Sequence, residues 1–132
     1  TGDDAERSAA VTDSDRGANA APLAAAEDAV RTLLTQTLER SWRRLVEYAQ
    51  RAMTRGEQPL ESLRKNHVLM VQHWLSAPAA IVRTVLGRDC REAELVERLL
   101  DSVDRALQEE SDLRTLPSPA PELAAEIVDQ EK

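Results

Sequence analysis

Residues 22–56 read PLAAAEDAVRTLLTQTLERSWRRLVEYAQRAMTRG, and this stretch decides the fold class. Pro22 stands where helices favour a proline, because the N–H it lacks would have no intrahelical partner in a first turn. At about 100° of turn per residue, Val30, Leu34, Ser41, Leu45, Tyr48 and Ala52 fall within about 60° of one another. Leu38, Ala49, Trp42 and Met53 widen that stripe on one side, and Arg40, Arg43, Arg44, Glu47 and Arg51 occupy the opposite face. Gly56 suits the left-handed residue that closes a helix, so the spacing predicts a helix over 22–55. A helix with one apolar face needs other helices to cover it.

Downstream, Glu57-Gln58-Pro59 is a short connection, and Pro59 opens a second helix over 59–76. Its stripe is Leu60, Leu63, His67, Met70, Val71, Trp74 and Leu75. Leu69 lies on the far side, which suits either a central position in a bundle or a second apolar partner. Pro78 should kink or interrupt the chain, so 78–86 is either a continued, bent helix or a short separate one ended by Gly87. Asp89 with Glu92 three residues later resembles a capping box and opens a last helix over 89–115. Its stripe is Val96, Leu99, Leu100, Val103, Ala106 and Leu107.

The flanks differ from this middle. Residues 1–21 are rich in Asp, Ser, Thr, Gly and Ala without periodicity, and their composition predicts disorder. Pro117, Pro119 and Pro121 should end the helical region, leaving 117–132 as a proline-rich acidic tail. Within it Leu123, Ile127 and Val128 would form either a helical turn or two on a partner or, as expected of a terminus, a frayed solvated end. The expectation is an all-α fold: a bundle of three to four amphipathic helices spanning 22–116, with disordered acidic tails at 1–21 and 117–132.

Composition narrows the function. The 132 residues carry 24 Asp and Glu against 17 Lys and Arg, a net charge of −7, which speaks against a nucleic-acid binder. Trp42, Tyr48 and Trp74 are the whole aromatic complement, too few for the strands of a sandwich or barrel. Cys90 is alone, so no internal disulfide marks an oxidising compartment. The chain opens on Thr1 rather than Met, which reads as the product of processing; residues 1–22 themselves carry five acids and no signal-peptide core. The longest uncharged run, Asn66–Val82, is 17 residues and includes His67, Gln72, His73 and Pro78, so no transmembrane segment is expected. Six of the seven net negative charges fall in the two tails. The middle is close to neutral but polarised, with residues 31–65 basic and 89–116 acidic. The face formed by Arg40, Arg43, Arg44 and Arg51 either lies beside the acidic last helix or docks an acidic partner.

Residues for catalysis are scarce. His67 and His73 are six apart, about 120° round a helix, and do not form the i, i+4 pair that holds a metal. His67 falls on the apolar stripe and reads as a core histidine. A thiol at a helix N-terminus has a lowered pKa, but Cys90 there has no base or second cysteine and reads as an incidental small residue. Glu109 and Glu110 read as a solvated charged face, and the four glycines are too scattered for a phosphate loop. No catalytic, cofactor or metal residue is expected, and the chain reads as non-enzymatic. What remains is amphipathicity. The apolar positions of 63–85 are either ordinary bundle core or a surface for a hydrophobic body or a partner helix. In the second case Leu63, Met70, Val71, Trp74, Leu75, Ile81, Val82 and Val85 would carry the binding.

One stretch resembles a known family. Val46-Glu47-Tyr48-Ala49-Gln50-Arg51, then Pro59-Leu60-Glu61-Ser62-Leu63-Arg64-Lys65-Asn66-His67-Val68, is similar to the phasins, small helical proteins that coat polyhydroxyalkanoate granules. The shared features are an amphipathic helix ending in tyrosine-alanine-glutamine, a short turn, and a proline opening the next helix. Phasins commonly carry glutamine where this chain has Asn66, and Trp74-Leu75-Ser76-Ala77-Pro78 has no counterpart. The resemblance implies a cytoplasmic, oligomeric coat or adaptor protein without enzymatic activity. The resulting expectation is a helical protein that acts through its surface. The alternative is a protein-interaction or oligomerisation module, such as a secretion chaperone, cargo adaptor or effector fragment, closed by a partner helix.

Overall fold

The computed structural model describes residues 2–130, with side chains from residue 21 onward. The described residues form five helices and no strand: α1 (Gly2–Thr54), α2 (Pro59–Asn66), α3 (Val68–Ile81), α4 (Glu92–Gln108) and α5 (Ala120–Val128). A π-helical turn, Val82–Leu86, continues α3. Helix α1 packs on α2, α3, the π turn and α5, while α4 packs on α3 and α2. An ion pair between Arg98 and Glu126, 2.7 Å, joins α4 to α5. The elements therefore follow one another round a bundle, from α1 to α2–α3, α4 and α5, with α1 and α4 at opposite corners. Leu34, Leu38, Leu45, Leu63, Leu75, Leu99 and Leu100 fill its centre, all fully buried.

Helix α1 shows its expected stop and its expected stripe, except that Met53 is 51% exposed. Glu57 N–H donates to Ala52 O at 2.9 Å and Gly56 N–H to Met53 O at 3.0 Å, with Gly56 at φ 76°, the paired bonds of a Schellman motif. Pro22 does not start the helix but lies inside it. The expected disorder of 1–21 falls, up to residue 20, on residues whose side chains lie outside the described set. Residues 21–25 are exposed, and the packed part of α1 begins near Ala26 and Val30. Ser41 is fully buried in the stripe with its hydroxyl unpartnered. Ser41→Ala should therefore raise stability by about 1 kcal/mol in urea unfolding, because a buried hydroxyl without a partner costs roughly that much.

The second helix breaks at a different place from the one its prolines suggest. Pro78 sits inside α3, buried, and the chain stays helical through it. The interruption falls at His67, whose backbone (φ −127°, ψ −13°) separates α2 from α3. Its ring stacks flat on Tyr48 of α1, with centroids 3.9 Å apart and planes 1° apart. A contact between elements thus coincides with the joint, where no proline or glycine marks it.

The last third departs further from expectation. Asp89 does not cap α4; it pairs with Arg91, which is itself the extended N-cap residue. Helix α4 ends at Gln108 rather than Thr115. Ser111 N–H donates to Ala106 O and Glu110 N–H to Leu107 O, so this is a second Schellman motif, with Glu110 rather than glycine in the left-handed position at φ 55°. Glu110→Gly should stabilise the protein by about 1 kcal/mol, the strain a side chain meets in that conformation. A lower or unchanged urea midpoint would refute this reading of the turn.

Over its described residues, 117–130, the expected tail is not a frayed end. Ser118 Oγ accepts the Ala120 N–H at 3.1 Å, Pro121 lies in the first turn, and α5 lies along α1. Its Leu123, Ala124, Ile127 and Val128 are buried. Arg31 of α1 holds Asp129 just beyond its end. Arg88 donates through Nε to Val128 O (3.1 Å) and through Nη1 to Leu86 O (3.0 Å).

Candidate functional site

Helix α3 contains no Asp, Glu, Lys or Arg along its 14 residues. Val71, Leu75, Pro78 and Ala79 face inward and are buried. Its outward side is uncharged but mixed: helical periodicity puts Gln72, His73 and Ser76 there beside the apolar residues. Leu69 is 80% exposed, and His73 and Ala77, four and eight residues on, are exposed below it. Met70, Trp74 and Ile81 are half-buried along the edges, and Val85 on the π turn, 54% exposed, extends the strip.

The structure divides the expected binding residues. Leu63, Val71, Leu75 and Val82 are fully buried in the core and present no surface, which corrects their assignment to a docking face. Met70, Trp74 and Ile81 flank the exposed strip and Val85 lies on it. Sequence reasoning missed Leu69, His73 and Ala77 as site residues. The signal was there in Leu69, which lies off the stripe of an uncharged helix.

Charge borders the strip on two sides. Tyr48, stacked on His67, marks the side of α1 that meets α2 and α3, and helical periodicity puts Arg44, Arg51 and Arg55 on that side, with Arg40 next to them. The Arg51 guanidinium lies 5.8 Å from the Tyr48 ring centroid. Glu47 pairs with both Arg44 (3.7 Å) and Arg51 (2.6 Å), and Glu57 pairs with Arg55 (2.9 Å). This border keeps a positive excess. Arg43 pairs with Glu39 and lines a groove with Trp42, Val46 and Leu113, and a second groove brings Arg40, Arg43 and Arg44 together with Glu39 and Glu47. Across the bundle, Glu97, Asp101 and Asp104 of α4 adjoin α2, where Arg64 pairs with Glu97 at 2.8 Å. The Arg64 pKa is raised, first by that hydrogen bond and also by Asp101 and Asp104. This border keeps a negative excess. Among the described residues no ion pair joins α1 to α4, so the expected side-by-side pairing of basic and acidic helices is replaced by two charged edges with α2–α3 between them.

Other chemistry is quiet. Cys90 precedes α4 rather than opening it and is buried; burial pushes its thiol up to about 11, against the opposing pull of Arg83. It stays protonated, the reverse of an activated cysteine. A groove of about 690 Å³ lies between Glu47–Arg55 and Ser111–Arg114. Its cations Arg51, Arg55 and Arg114 each already hold an acid, Glu47, Glu57 and Asp112. Among the described residues there is no cluster of His, Cys, Asp and Glu suited to a metal, and no helix is long and apolar enough to cross a membrane.

His67 has its pKa lowered, chiefly by desolvation and secondarily by Arg55. The folded state therefore prefers the neutral ring. The stability it lends is complete above its unfolded pKa, about 6.5, and is lost as pH falls below that. Urea midpoints should drop between pH 7.5 and pH 5.5, a range set by that reference value of about 6.5, and His67→Gln should flatten the slope. An equal slope in the variant would assign it to other groups.

No family model, curated protein or solved structure matches the chain.

Proposed function

We propose that this protein is a non-enzymatic helical binding module that works through the outward face of α3. The observation that carries this reading is the strip itself, a helix without a formally charged side chain that leaves Leu69 80% exposed. Leaving a large apolar side chain in water forgoes about 1.5–3 kcal/mol that burial would supply, so a partner that covers the strip gains it. Isolated exposed apolar residues need no explanation; what supports the reading is that Leu69, Ala77 and Val85 share one uncharged side with the half-buried Met70, Trp74 and Ile81 next to them.

The occupant is apolar: a hydrophobic body or the apolar face of another helix. A polymer granule, suggested by the resemblance at residues 46–71, is one such body. Coating it through Leu63, Val71, Leu75 and Val82 requires the bundle to open, because those residues are core. The α3 strip requires no opening, and that favours an adaptor-like module over an unfolding coat.

Flotation with plain hydrocarbon droplets tests the face. Wild-type protein is expected to rise with the droplets, and Leu69→Glu combined with Val85→Glu to remain in the aqueous layer. Both proteins should show the same helical circular dichroism and thermal midpoint. Equal partitioning of the two would remove α3 from the reading.

A further inference from the structure

We infer that the natural cover of the α3 strip is a second copy of this chain, related by a two-fold axis that runs along α3. This rests on the binding-module reading above and names its partner. Size requires more than α3 alone. The helix is about 21 Å long and about 10 Å across, which supplies only a fraction of the roughly 800 Å² per partner that a stable interface buries. The borders on α1 and α4 must therefore close on the partner as well.

Charge fixes how they close. One border is the arginine edge Arg40, Arg44, Arg51 and Arg55, answered only by Glu47 and Glu57. The other is the acidic edge Glu97, Asp101 and Asp104, answered by Arg64 and, at Asp101, by Arg98, which itself already holds Glu126. Two copies meeting face to face are related by an axis lying in the contact plane. If that axis crossed α3, α1 would meet α1 and α4 would meet α4, so each edge would face its own sign. If it runs along α3, left and right exchange, and each arginine edge lies over the partner's acidic edge. The uncharged strip then closes on itself, with the exposed Leu69, His73 and Ala77 lying along the axis. Exposed Ala77 leaves room for the two helices to approach closely. A foreign apolar partner would have no need of opposite charge on the two sides.

Sedimentation equilibrium of the full chain, with and without added salt, tests the inference. At high micromolar concentration the expected particle has twice the 14.6 kDa chain mass and dissociates on dilution. Raising salt from about 0.1 M to about 1 M, which shortens the screening length from about 10 Å to about 3 Å, should weaken association by at least about tenfold. Arg40→Glu with Arg44→Glu should abolish the dimer, and so should Asp101→Arg with Asp104→Arg. Mixing these two variants should restore it as a heterodimer, which also shows that each is folded. A wild-type chain that stays monomeric, a dimer strengthened by salt, or reversals without effect would each overturn the inference. If the chain is monomeric but Leu69→Glu with Val85→Glu still loses the droplets, only the identity of the partner falls. If those substitutions change neither assay, the α3 reading falls too.

Discussion

A chain ending at Leu116 should lose most of its stability. Helix α5 buries Leu123, Ala124, Ile127 and Val128 along α1, and its removal uncovers the α1 stripe as well. Three large apolar side chains contribute about 1.5–3 kcal/mol each when buried, against a total folding free energy of about 5–15 kcal/mol. The conformational entropy of leaving the tail unordered returns part of that loss. The expected result is a thermal transition lowered by well over 10 °C, since about 1 kcal/mol moves a domain of this size by roughly 4 °C. Val128→Asp should reproduce most of the loss in the full-length chain, by placing a charge in a fully buried site. A truncated protein that melts within about 4 °C of the full chain would mean that α5 is an ornament on the bundle rather than part of it.

The second large effect separates the two sides of α3. Leu75 is fully buried and Leu69 is 80% exposed, six residues apart on one helix. Leu75→Ala should cost about 2–5 kcal/mol, the transfer of the lost methyl groups plus the cavity left among Leu-rich neighbours. Leu69→Ala should stay within about 0.5 kcal/mol of wild type, as exposed substitutions do. Urea unfolding of the monomer at low concentration reads both. Comparable losses at the two positions would show that the outward face of α3 is covered within the chain itself.

Much of this arrangement was legible in the residues. The stripe Val30, Leu34, Leu45, Ala52, the stop at Gly56 and the start at Pro59 follow from local rules, and the structure keeps them. Three features were not legible, each because a distant contact overrode a local rule. Pro78 reads as a break, but its ring is buried in the core and the helix carries it. His67 reads as a helical residue, but the stack on Tyr48 coincides with the joint. Residues 120–128 read as tail because nine residues among prolines and acids cannot stabilise a helix alone; only the α1 groove makes their apolar spacing meaningful. The site was half legible for a related reason. Periodicity locates a stripe, and an uncharged helix has two, so Leu63, Val71, Leu75 and Val82 could be told from Leu69 only once the core was in place.

Arg88 has a consequence for how the molecule comes apart. Its guanidinium bonds the last carbonyl of α5, Val128 O, and the last carbonyl of the π turn, Leu86 O, so one side chain clasps two helix ends 42 residues apart. Releasing either end frees the clasp on the other. Amide protons of α5 and of the π turn should therefore exchange with solvent at matched rates, as a single foldon, although long stretches of chain separate them. The last element of the bundle is in this sense sewn to its middle, and the C-terminal helix opens with the turn rather than fraying residue by residue from its own end.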